Sequence, residues 1–120
     1  MKKQLNKAVL FLLFIFTTII SCSESENIDT TPPGILSNIS VTPTNGGGII
    51  SYSLPSDDDI LYVKAVYTNS QGEEVFRVSS KHNTSIEVNG LSQSTPVNVK
   101  LLVVDLNENI SEIVAIEFTP

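Results

Sequence analysis

The chain opens with a short basic stretch, Lys2, Lys3 and Lys7, and then runs without a charge from Ala8 to Ile20 (AVLFLLFIFTTII). Such a run is shorter than the about 20 residues that cross a bilayer core, and it suits the apolar region of a secretory signal. From Ile35 onward the pattern changes. Short apolar runs alternate with turn-forming residues, and no stretch keeps a helical period. Strands are predicted over residues 35–41, 49–54, 60–68, 73–80, 84–88, 95–106 and 110–118. They are separated by Asn45-Gly46-Gly47-Gly48, a polar loop at 55–59, the turn at 69–72, Asn89-Gly90 and Asn107-Glu108-Asn109. Seven short strands at this spacing predict an all-β sandwich.

Side chains alternate across a strand, so parity predicts the core. Leu61, Val63, Ala65 and Tyr67 share one face of the third strand, and Val97, Val99, Leu101 and Val103 share one face of the sixth. Ile50, Tyr52 and Leu54, with Ile86, Val88 and Leu91, supply the facing sheet. The opposite parity puts Tyr62, Lys64, Val66, Lys100, Leu102 and Val104 on an outward face. Four of these six are apolar or aromatic, where a solvated face would be polar. Tyr62, Lys64, Val66, Leu102 and Val104 therefore form a candidate docking face for a neighbouring domain or partner.

Charge narrows the choice of function. The net charge is −6, and residues 1–21 hold three cations and no acid, so residues 22–120 hold four cations against thirteen acids, or −9. That balance argues against nucleic-acid partners. With one Cys, one His and no Trp, a disulfide framework, a Cys/His zinc site and a Cys–His or Ser–His triad have too few members. Asp57, Asp58 and Asp59 are the one acidic run of the folded part. Consecutive carboxylates cannot all face one ion and have no cleft between them for a glycosidase pair, so they read as a solvated loop with Asp59 at the start of a strand. His82 falls in a turn without a partner, and the Gly46–Gly48 run lacks the helix and lysine of a phosphate loop. No catalytic residue, metal or cofactor is expected.

The apolar segment ends in Ile19-Ile20-Ser21-Cys22. This resembles the bacterial lipobox, in which the Cys takes a diacylglycerol before cleavage. The resemblance implies a lipoprotein signal peptide at 1–21 and a membrane anchor on Cys22, since two or three acyl chains hold a protein stably. Ser23, Glu24 and Glu26 resemble the acidic export signal of Bacteroidota surface lipoproteins, implying a cell-surface location on the outer membrane; the alternative is its periplasmic leaflet. Asp29-Thr30-Thr31 fits a short O-glycosylation pattern of that phylum with Thr30 as acceptor. Residues 22–32 then form an acidic tether, stiffened by Pro32 and Pro33.

The order of features over 33–120 resembles a fibronectin type III-like or immunoglobulin-like sandwich. Tyr52 stands where such domains often place a Trp, and Leu91 sits on the crossover between the fifth and sixth strands. The corner tyrosine usual six residues later is Val97 here, which implies loss of its hydrogen bond. Pro32-Pro33-Gly34, Asn38 to Val41, Gly48 to Pro55, Pro55 to Tyr67 with Asp57 and Asp59 in place, Leu102 to Asp105 and Asn107 to Glu112 are similar to an N-terminal domain of unknown function in Bacteroidota surface lipoproteins. That resemblance implies a spacer or docking domain linked to glycan-uptake systems. Its partners would be co-encoded surface proteins or downstream domains. A second expectation is a module that binds glycan or host protein through the same outward face.

Overall fold

The computed structural model describes residues 28–120. The expected signal peptide, and Cys22, Ser23, Glu24 and Glu26 expected for lipidation and export, lie outside the described residues. Seven strands form: β1 (Ser37–Thr44), β2 (Gly47–Ser53), β3 (Ile60–Thr68), β4 (Glu74–Ser80), β5 (Ser85–Val88), β6 (Val97–Asp105) and β7 (Val114–Phe118). They make two antiparallel sheets, of order β1-β2-β5 and β4-β3-β6-β7. No helix occurs among the described residues.

The parity argument holds through the middle of each strand. Val63, Ala65, Val99, Leu101 and Val103 from one sheet meet Ile50, Tyr52, Ile86 and Val88 from the other in a single buried cluster. Fully burying a Val, Leu or Ile contributes about 1.5–3 kcal/mol, so this layer dominates the fold. It fails at Leu61, which is 40% exposed while Ile60 is 4% exposed. The cause is a bulge. Ile60 pairs with Asp105 and Tyr62 with Val104, so two steps along β3 match one along β6 and Leu61 is the extra residue.

Two predicted boundaries also shift. Gly47 and Gly48 belong to β2 rather than to a loose turn, and both are buried. A Cβ on Gly47 would lie 2.0 Å from the Val88 carbonyl oxygen, and one on Gly48 would lie 2.7 Å from the Phe118 ring. At Gly47, where the neighbour is backbone, only Gly allows so close an approach. At the other end, the predicted last strand begins only at Val114. Residues 107–113 return as a loop, with Ile110 bridged to Val104 and Ser111 Oγ accepting the Val103 N–H at 2.8 Å.

Candidate functional site

The outward face of the larger sheet is built by three strands in register. Tyr62 stands opposite Val104, Lys64 opposite Leu102 and Val66 opposite Lys100. On the other side Lys64 and Val66 stand opposite Val78 and Phe76 of β4. Phe76 and Val78 are each 56% exposed, and the Lys64 ammonium lies 4.5 Å from the Phe76 ring centre. That contact keeps Lys64 extended across apolar neighbours instead of out in water. A groove of about 280 Å³ runs along this face between Tyr62, Lys64, Leu102, Val104, Glu108 and Ile110.

This face corrects the sequence expectation in one place. Tyr62, Lys64, Val66 and Leu102 are half-buried, but Val104 is only 4% exposed. Its side chain points away from the main core, yet the returning loop at Ile110 and the neighbouring Tyr62 close over it. It is the floor of the groove rather than part of its surface. Periodicity could not show this, because the cover comes from a loop.

A second cluster forms at the end where the tether arrives. Asp105 closes β6 and is fully buried. Its Oδ1 accepts the N–H groups of Asn107 at 2.9 Å and Asn109 at 2.8 Å, and its Oδ2 accepts Asn109 Nδ2 at 2.9 Å. The same Asn109 amide donates to the Asp29 carbonyl, also at 2.9 Å. Asp57 Oδ2 accepts the Gly34 N–H at 3.0 Å, and Pro33 and Leu36 are buried. The end of the expected tether, from Asp29 to Pro32, and residues 33–36 after it are thus fastened against the strands. The Asp-x-Asn spacing of residues 105–107 is the one sequence signal that could have pointed to this turn.

Carboxylate oxygens of Asp29, Asp59 and Asp105 come within 4.8 Å of one another. The sequence reading of a solvated loop therefore needs amending for Asp59, which leans against Asp29. The backbone N–H of Thr31 and then the Asp59 carboxyl hold Asp29 below the usual carboxylate range, and sharing with Asp29 pushes Asp59 up. Two carboxylates this close disfavour both being charged, which is the direction in which Asp59 moves. A calcium ion needs six to eight oxygens, whereas Asp105 already gives both of its oxygens to N–H donors. Thr30 is exposed beside this cluster, and His82 sits exposed in the turn after β4.

The corner tyrosine missing at Val97 has a substitute. Tyr67, on β3, donates to the Asn89 carbonyl at 2.9 Å and accepts the Asn89 N–H at 3.2 Å. The hydroxyl thereby ties the larger sheet to the end of β5.

The family described as "Domain of unknown function (DUF4959)" matches residues 33–120. The chain belongs to this family. No curated protein matches it in sequence. The DUF4959 fold is shared with a computationally redesigned β-sandwich at 17% identity, TM-score 0.60, covering 74% of this chain and 95% of that one. It is also shared with the fibronectin type III domain of human collagen XX at 13% identity, TM-score 0.57, covering 79% and 100%. A third similar structure is the spore cortex lytic enzyme SleM of Clostridium perfringens, at 11% identity and TM-score 0.59. There 74% of this chain is covered, but only 28% of the length of that one. The DUF4959 domain is thus a fibronectin type III-like sandwich, and these likenesses concern the fold alone.

Proposed function

We propose that this DUF4959 domain is a non-enzymatic spacer and docking module, anchored to the outer membrane through lipidated Cys22 and displayed at the cell surface in a glycan-acquisition system. One observation carries the docking part. The outward face of β3 and β6 holds a groove floored by Val104 and lined by Tyr62, Leu102 and Ile110. Burying apolar area is worth about 25 cal/mol per Å², so a patch of this kind supplies a few kcal/mol, enough for a tethered or co-anchored neighbour. The anchoring part is supported by the lipobox at Cys22 and the acidic residues behind it. Mass spectrometry of membrane-extracted protein is expected to find residues 1–21 gone and acyl chains on Cys22; a mature form beginning elsewhere refutes the anchor.

The half-buried Tyr62 beside Lys64 and Glu108 favours a second reading, in which the groove takes a glycan or host-protein ligand. The two readings part on mutation. Val66→Ser with Leu102→Ser removes aliphatic area and is expected to weaken association with co-encoded partners while leaving the fold intact. Loss of polysaccharide binding on Tyr62→Ala alone, with that pair unaffected, supports the second reading instead.

A further inference from the structure

Each sheet has two edge strands, and an edge presents unpaired N–H and C=O groups to any strand that fits. Three of the four edges are short, or are broken by an irregularity and a proline. β1 has an irregularity between Ser37 and Ser40, with Asn38 at φ 49°, and it contains Pro43. β5 is four residues long and β7 five. β4 differs. It is seven residues long, contains no proline, and follows β3 without a register shift from Glu74 to Ser80. Its only ladder partner among the described residues is β3. Phe76 and Val78, on its outward face, are more than half exposed.

The charges along β4 say what fits. The strand is entered through Glu73 and Glu74 and followed by Lys81, so it is acidic at its start and basic at its end. An antiparallel copy of the same strand reverses that order. With Phe76 opposite Val78 of the second copy, Glu73 of each strand stands opposite Lys81 of the other, and Glu74 opposite Ser80. Opposite charges and apolar cross-strand pairs are the units that stabilise such a ladder. The twofold axis then passes by Arg77, where like charges would meet. Its guanidinium is drawn aside by a 2.7 Å hydrogen bond to Asn89 Oδ1.

We infer that β4 is a self-association edge, through which two copies of this chain pair antiparallel into one continuous eight-stranded sheet. The interface uses the edge and leaves the β3–β6 groove of each copy open. The dimer thus presents two docking faces side by side on one surface, independently of what those faces bind.

Sedimentation equilibrium of the full chain in a mild non-ionic detergent tests this. A reversible monomer–dimer equilibrium is expected. Phe76→Ser with Val78→Ser should weaken it about tenfold or more, since two apolar pairs are lost. Glu73→Lys and Lys81→Glu should each weaken it alone, and the two together should restore it. A monomer at every accessible concentration overturns the inference. So does a dimer that persists in the serine pair with unchanged circular dichroism, or a charge exchange that fails to restore association.

Discussion

Replacing Tyr67 by Phe isolates one hydroxyl in an otherwise unchanged core. The ring is 3% exposed and its packing survives, so no cavity opens. What disappears is the pair of hydrogen bonds to the Asn89 backbone, at 2.9 and 3.2 Å. Each such bond contributes about 1 kcal/mol net, so the variant is expected to lose about 2 kcal/mol. For a domain of this size that lowers Tm by roughly 8–16 °C. Tyr52→Phe is the internal comparison. Its hydroxyl lies 3.5 Å from the Ser85 carbonyl, at the limit of a hydrogen bond, and its loss should cost well under about 1 kcal/mol. Urea unfolding of both variants reads the difference as a shift in midpoint at constant slope. If Tyr67→Phe costs no more than Tyr52→Phe, the hydroxyl does not hold the sheets together at this end.

Further outcomes rest on separate features. Gly47→Ala should prevent folding or cost more than about 3 kcal/mol, because its Cβ would meet backbone 2.0 Å away, while Gly48→Ala should be milder because the Phe118 ring can turn; soluble yield and thermal melts compare them. Asp105→Ala should destabilise by about 2–4 kcal/mol, since Asn107 and Asn109 lose their acceptor, and denaturant titration measures it. Millimolar calcium is expected to leave Tm unchanged, because both Asp105 oxygens are already engaged by N–H donors and three carboxylates fall short of the six to eight oxygens the ion takes. A rise of several degrees in a thermal scan would show that the Asp29–Asp59–Asp105 cluster binds the ion.

The parts legible in the sequence are those governed by strand period. Val63, Ala65 and Tyr67 fell on the buried face as alternation requires, and so did Val99, Leu101 and Val103. Alternation carries no information about an inserted residue, so it puts Leu61 inward, whereas the bulge turns it out. It is equally blind to cover supplied by a loop, which is why Val104 looked exposed. Gly47 and Gly48 resembled a flexible turn because their composition is that of a turn. Only the approach of Val88 and Phe118 explains them. The Asn109–Asp29 bond joins residues 80 apart and leaves no local signature.

That last bond has a consequence for height above the membrane. A tether of residues 22–32, fully extended at about 3.5 Å per residue, would let the sandwich stand about 40 Å from an anchor at Cys22. Because Asp29 is held by Asn109 and Gly34 by Asp57, residues 22–28 are the stretch of sequence between an anchor at Cys22 and the clasp. Their full extension is about 25 Å. On a chain anchored as proposed, the clasped end of the sandwich is confined to that height. On that anchor the groove would face partners lying close to the bilayer.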